Sequence, residues 1–122
     1  MNITGDAGVG YMMGNFEACA RYRIGITTLH INNGGYSGYG PGFWGAGHDP
    51  YTWKVSDHSS ACMSAMARAV GWYGEDVSEP AQVIPAMKRA LDANAKGQPA
   101  FLEFICSHNP VHGGWVRGGA GH

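Results

Sequence analysis

The chain has 122 residues and a formal net charge of −1, with 14% charged and 44% hydrophobic residues. This length suits one domain or part of one, the apolar content argues against a disordered chain, and the balanced charge argues against a nucleic-acid partner. There is no apolar run near the roughly 20 residues that a membrane-spanning helix requires, and no signal peptide is visible, so no membrane association is expected.

The cysteines Cys19, Cys62 and Cys106 are far apart in the sequence, and each lies within an apolar stretch. An odd number of widely spaced cysteines favours buried free thiols over disulfides, and free thiols persist in a reducing compartment. The sequence therefore predicts a cytoplasmic protein.

The first half of the chain predicts a strand, a glycine-rich loop, a helix and a second strand. Residues 1–4 are typical of the end of a strand, and residues 5–14 of a loop or tight turn. Asn15 is a suitable cap for a helix that runs to about residue 23 and is ended by Gly25. The β-branched segment 24–32 then predicts a buried strand.

The second half begins with a long loop over residues 33–52, which is rich in glycine and aromatic residues and is of a kind that is usually functional or mobile. After it we predict a helix from Asp57 to about Val70, a short strand at 72–73, a helix capped by Ser78 with Pro80 in its first turn, and a buried strand over 100–106. The Gly- and His-rich segment 107–122 is expected to be irregular.

This alternation predicts an α/β fold of three layers, with a mostly parallel sheet and helices on both of its faces. The opening strand is too short to begin such a sheet. We therefore expect residues 1–106 to be a domain whose N-terminal strands are missing, followed by an irregular tail over 107–122.

Two side chains that follow predicted parallel strands carry the chemistry. Ligands of open parallel sheets bind beyond the carboxyl ends of the strands, where Asp6 and Asn33 are expected. Their carboxylate and amide oxygens suit Mg²⁺ or Ca²⁺ better than Zn²⁺. The backbone N–H groups of Ala7, Gly8 and Val9, beside a helix start, offer an anion site without positive side chains. Together these groups predict a clamp for a metal-bound diphosphate.

Gly5-Asp6-Ala7 and Asn32-Asn33, with 27 positions from Asp6 to Asn33, resemble the Gly-Asp-Gly and Asn-Asn motif of thiamine diphosphate-dependent enzymes. The resemblance extends over about residues 3–106 and implies the diphosphate-binding domain of that family. Ala7 departs from the family's usual glycine, although alanine is seen in members similar to acetolactate synthase.

The resemblance implies that thiamine diphosphate contacts Gly5, Asp6, Ala7, Gly8, Asn33, Gly35 and Tyr36. Of these, Asp6 and Asn33 would ligate Mg²⁺ through side-chain oxygens, and Gly35 through its backbone carbonyl. Backbone N–H groups of Ala7 and Gly8 would bind the diphosphate, and Tyr36 would close over it.

The resemblance also implies a lyase or transferase that makes or breaks a C–C bond next to a carbonyl. Its substrate would be a 2-oxo acid or an acyl-CoA, as in enzymes similar to acetolactate synthase or oxalyl-CoA decarboxylase. In that family, a glutamate on a pyrimidine-binding domain activates the cofactor, and no residue here matches it. We therefore expect the isolated chain to be inactive. The complete protein would be a homodimer or homotetramer that includes the pyrimidine-binding domain, in the same chain or a second subunit.

Other interpretations remain open. The chain could be a non-catalytic fragment or split subunit that binds metal diphosphate and docks to a partner domain. Residues 8–14 nearly match a dinucleotide fingerprint, with the last glycine one place late, which would suit an oxidoreductase domain. We interpret Cys106, His108 and His112 as a strand-end thiol and solvated histidines, not a zinc site, and His30 as a packed histidine.

Overall fold

A computed structural model of the chain describes residues 1–34 and 62–106. The elements in chain order are β1 (Asn2–Gly5), α1 (Asp6–Met12), a 3₁₀ turn (Met13–Asn15), α2 (Phe16–Arg21), β2 (Thr27–Asn32), α3 (Met63–Ala69), β3 (Tyr73–Val77), a second 3₁₀ turn (Pro80–Gln82), α4 (Val83–Ala95) and β4 (Ala100–Ile105). The predicted loop over 33–52 and the tail over 107–122 therefore lie almost wholly outside the described residues.

The four described strands form a single parallel sheet in the order β1-β2-β4-β3. Strand β4 lies between β2 and β3 in the sheet, so β2 and β3 are consecutive in the chain but are not neighbours in the sheet. Parallel strands are joined by crossover connections, which helices usually provide. The predicted α/β class and parallel sheet are confirmed.

Helices pack on both faces of this sheet. On one face, α4 lays Ala86 and Ala90 against Leu29 and Leu102, and all four side chains are buried. On the other face, side chains of α1, α2 and α3 pack with Trp72 and Phe101. Because strand side chains alternate between faces, β2 and β4 contribute to both cores. The prediction of three layers is confirmed.

The glycine-rich segment after β1 is helical, so the prediction of a loop over residues 5–14 was wrong. Helix α1 begins at Asp6 with Gly5 as its N-cap, and Gly8 and Gly10 lie within it. Packing outweighs the poor helix propensity of glycine here, because Val9 is buried against the sheet. Gly8 also lies so close to β1 that a Cβ there would approach Thr4 Oγ1 within 2.1 Å.

The ends of α2 also differ from the prediction. Asn15 precedes α2 but makes no side-chain capping bond, because it lies in the 3₁₀ turn with helical backbone angles. The helix ends at Arg21, and the chain reverses at Arg23, which has a φ of 53°. The Arg23 guanidinium donates to the carbonyl of Lys96 at 2.6 Å and holds this reversal against the end of α4. Gly25 is therefore not the residue that ends the helix.

Strand β3 is longer than predicted and begins after Trp72, not at it. Trp72 is buried, and its indole N–H donates to the carbonyl of Phe16 at 2.7 Å. The following helix begins later than predicted, since Ser78 and Glu79 precede a 3₁₀ turn and α4 starts only at Val83. Pro80 opens the 3₁₀ turn, where its missing N–H costs no hydrogen bond.

All three cysteines are free thiols. The expectation that they are buried was wrong for Cys62 and Cys106, which are exposed, while Cys19 is partly buried. Both exposed thiols flank elements of the sheet domain, at the start of α3 and the end of β4. None of the helices in the described ranges is long and apolar enough to cross a membrane.

Candidate functional site

The ends of two neighbouring strands bring Asp6 and Asn33 together. Asp6 follows β1 directly as the first residue of α1, and Asn33 follows β2, which pairs with β1 in parallel. The backbone N–H of Asn33 donates to Asp6 Oδ2 at 3.3 Å. Both residues therefore lie at the carboxyl edge of the sheet, where parallel sheets bind ligands.

The buried side chain of His30, in β2, is hydrogen-bonded to the carboxylate of Asp6. Its Nε2 lies 2.9 Å from Asp6 Oδ1, and the exposed fractions of the two side chains are 1% for His30 and 5% for Asp6. An ionised carboxylate only accepts hydrogen bonds, so His30 Nε2 donates. With Asn33 N–H on Oδ2, each oxygen of Asp6 has a protein donor, and the orientation of the carboxylate is fixed.

The turn that carries Asn33 is fixed by its neighbour Asn32. The Asn32 amide donates to Glu103 Oε1 at 2.7 Å, and its Oδ1 accepts the backbone N–H of Gly34 at 3.1 Å. Gly34 has a φ of 85°, a left-handed conformation that glycine adopts without strain. Asn32 thus closes a local turn just beyond the end of β2.

Glu103 connects this turn to the start of α3. It is 1% exposed, and its Oε2 accepts the backbone N–H of Ser64 at 2.7 Å while Oε1 accepts from Asn32. Glu103 aligns with His30 in the register of β2 and β4, and its Oε1 lies 3.7 Å from His30 Nδ1. That distance exceeds the length of a hydrogen bond.

Glu103 also belongs to a second cluster of polar side chains. The thiol sulfur of Cys62 and one carboxylate oxygen each of Asp76 and Glu103 lie within 4.8 Å of one another. Ser64 donates its hydroxyl to Asp76, and Cys62 Sγ lies 3.6 Å from the same carboxylate. These bonds give the acids partners within the protein and fix the start of α3 against β3.

The remaining predicted site residues divide into two sets. Gly5 is the extended N-cap of α1, and Ala7 and Gly8 lie in its first turn, directly beside Asp6. The first backbone N–H groups of a helix have no carbonyl partner within that helix. Gly35 and Tyr36 lie outside the described residues.

His30 and Glu103 were not predicted as site residues. Both are polar side chains in strands that otherwise predict a buried core, and in the sheet they face the same side. A polar residue at the same level of two buried strands was the signal that could have found them, because buried polar groups need partners. The interpretation of His30 as a packed histidine missed its contact with Asp6.

Residues 1–104 match the family model described as "Thiamine pyrophosphate enzyme, C-terminal TPP binding domain". The chain belongs to this family. Thiamine pyrophosphate is another name for thiamine diphosphate, so the predicted resemblance is confirmed, and the chain is a thiamine diphosphate-binding domain.

The site of this domain fits a hard divalent cation with a diphosphate. Asp6 supplies a carboxylate and Asn33 an amide group from adjacent strand ends, and Mg²⁺ favours oxygen ligands of these kinds, with phosphate oxygens completing its shell. An ionised carboxylate offers about four lone-pair positions on its two oxygens, so it can accept hydrogen bonds and bind a metal ion at the same time.

Proposed function

We propose that this chain binds thiamine diphosphate through a divalent metal, Mg²⁺, held by Asp6 and Asn33. The observation that carries the proposal is the hydrogen bond from the backbone N–H of Asn33 to Asp6 Oδ2 at 3.3 Å, which places these two residues beside each other at one sheet edge. Gly35 would add its carbonyl to the metal, and Tyr36 would cover the diphosphate.

The domain's own residues bind and orient; they do not supply the reactive group. Backbone N–H groups of Ala7 and Gly8, with Gly5 as N-cap, would bind the diphosphate, and the carboxylate of Asp6 would hold the metal. When bound, thiamine diphosphate supplies a nucleophilic carbon and an electron sink for C–C bond chemistry next to a carbonyl.

In the complete protein, we infer a lyase or transferase acting on a 2-oxo acid or an acyl-CoA. A pyrimidine-binding domain, in the same chain or in a second subunit, would supply the activating glutamate and complete a homodimer or homotetramer. Within the described residues, the buried Glu103 bonds to Asn32 and Ser64 and so has a structural task. We expect the isolated chain to bind cofactor without turnover, and free thiols favour a cytoplasmic location.

Equilibrium dialysis tests this proposal. We expect the full chain to retain thiamine diphosphate with Mg²⁺ but not with EDTA. Inorganic diphosphate should compete with thiamine diphosphate for binding, and thiamine should not, because the domain is proposed to bind the diphosphate end of the cofactor. Asp6→Asn should abolish retention, whereas Asp92→Asn, an exposed acid on α4, should leave it intact. The proposal would be contradicted if EDTA did not reduce the retention of thiamine diphosphate, or if thiamine without the diphosphate were retained equally well.

Dialysis with NADH tests the dinucleotide interpretation, and an assay of 2-oxo acid consumption tests the non-catalytic one. A dinucleotide-binding domain would retain NADH, and competition between NADH and thiamine diphosphate would favour that interpretation of residues 8–14. A split subunit that needs its partner would bind thiamine diphosphate without consuming 2-oxo acids. Turnover of a 2-oxo acid by the isolated chain would exclude the non-catalytic interpretation.

A further inference from the structure

His30 occupies the centre of the sheet, directly beneath the proposed metal site. It lies in β2, aligned with Thr4 of β1 on one side and Glu103 of β4 on the other. Its ring is 1% exposed, and its centroid lies 5.7 Å from that of Phe101 in the core. A residue in this place would normally be apolar, because burying a polar ring carries a free-energy cost unless hydrogen bonds offset it.

The hydrogen bond that offsets this cost goes to Asp6. His30 Nε2 lies 2.9 Å from Asp6 Oδ1, while within the described part of the chain His30 Nδ1 has no hydrogen-bond partner. Among the described residues, the His30 ring therefore forms its hydrogen bond through Nε2. The contact spans 24 positions of sequence, so it also ties the start of α1 to β2.

The effect on Asp6 is geometric. The terminal torsion of an aspartate is broad, and a lone carboxylate samples many orientations about it. A rigid donor fixed in the core restricts that torsion and presents the carboxylate to one side of the site. Partners that orient metal-binding side chains in this way typically contribute a factor of about 10 to 100 in metal affinity.

We infer that His30 is a positioning residue of the metal site, acting through Asp6. This inference rests on the proposed function, since it requires that Asp6 binds Mg²⁺. It adds a residue outside the Gly-Asp and Asn-Asn motifs, in the middle of a buried strand.

Two amide substitutions provide the test. His30→Gln carries its amide nitrogen near the position of Nε2, so it keeps the bond to Asp6. His30→Asn is one methylene shorter, and its amide reaches only toward Glu103. Thr28→Val is the matched control, because Thr28 is fully buried on the same strand and face and its hydroxyl has no partner among the described residues.

Calorimetric titration of Mg²⁺ into each full-length variant, at saturating thiamine diphosphate, gives the readout. We expect His30→Asn to weaken Mg²⁺ binding about 10- to 100-fold, with His30→Gln and Thr28→Val within about threefold of the parent chain. Thermal melts without ligands show that each variant is folded. A purely structural role would lower the melting temperature of both amide variants and leave no difference between them in Mg²⁺ affinity.

Each other outcome is decisive. Parent-like Mg²⁺ affinity in folded His30→Asn overturns the inference, and so does equal weakening in both amide variants. If His30→Asn does not fold, His30→Gln decides: a loss of about tenfold or more in that folded variant overturns the inference. Failure of the parent chain to bind Mg²⁺ with thiamine diphosphate overturns the proposed function itself, and the role of His30 with it.

Discussion

Substitution of Gly25 by alanine tests how closely the segment between α2 and β2 approaches the end of α4. A Cβ at Gly25 would lie 2.5 Å from the carbonyl oxygen of Asn94 and 3.2 Å from its carbonyl carbon. Ordinary contacts begin near 3.4 Å, so the two backbones must separate by roughly 0.9 Å. The backbone of Asn94 cannot move freely, because its carbonyl accepts the N–H of Gly97 at 2.9 Å at the end of α4.

Overpacking of this kind typically costs about 1 to 3 kcal/mol. For a chain of this length, each kcal/mol corresponds to roughly 4 °C in melting temperature, so Gly25→Ala should melt about 4 to 12 °C lower. The φ of Gly25 is not in the left-handed region, so the expected loss comes from steric overlap and not from backbone strain.

Gly10→Ala is the matched control. Gly10 lies inside α1 with nothing within 4 Å of the added Cβ, so alanine should stabilise the helix by about 0.5 to 1 kcal/mol. Thermal melts followed by circular dichroism measure both variants. The reasoning is refuted if Gly25→Ala melts at or above the parent temperature; destabilisation by Gly10→Ala would instead contradict the helix that begins at Asp6.

Two further predictions concern other contacts of the fold. Trp72→Phe leaves the buried carbonyl of Phe16 without its donor, so thermal melts should show a loss of about 1 to 3 kcal/mol, and a parent-like melt would contradict that contact. A hydrogen bond from Arg89 holds the pKa of Glu75 below its usual value, so this pair stabilises the native chain above about pH 4.5 and less as the pH falls. Arg89→Leu should therefore flatten the acid side of the curve of melting temperature against pH, and an unchanged curve would count against the pair.

Local patterns were enough to predict the fold class and the main buried strands. The apolar runs in β2 and β4 and the intervening helical segments identified a parallel sheet with helices on both faces, and the four strands are indeed parallel. The prediction failed where packing outweighs local preference. Gly8 and Gly10 argued for a loop, yet α1 forms because Val9 is buried against the sheet.

The sequence was enough to predict the site residues that directly follow a strand, but not those whose role depends on contacts between strands. The spacing of Asp6 and Asn33, with the order of the strands, placed both residues at one edge, and the structure brings them within hydrogen-bond distance. The contribution of His30 and Glu103 depends on which strands are neighbours and on their register. Because β4 is inserted beside β2 from about seventy positions away, no local pattern marks Glu103 as the partner of Asn32.

Thermal melts of the full chain with Mg²⁺ alone, thiamine diphosphate alone and both test the central claim most directly. A ligand that binds only the native state at 100 times its Kd adds about 2.7 kcal/mol, or roughly 10 °C for a chain of this size. We predict this rise only with both ligands, its loss in Asp6→Ala and Asn33→Ala, and its retention in Asp92→Asn. The metal–diphosphate site would be contradicted by a cooperative melt whose melting temperature does not change when both ligands are present, or by a rise in melting temperature that persists in Asp6→Ala.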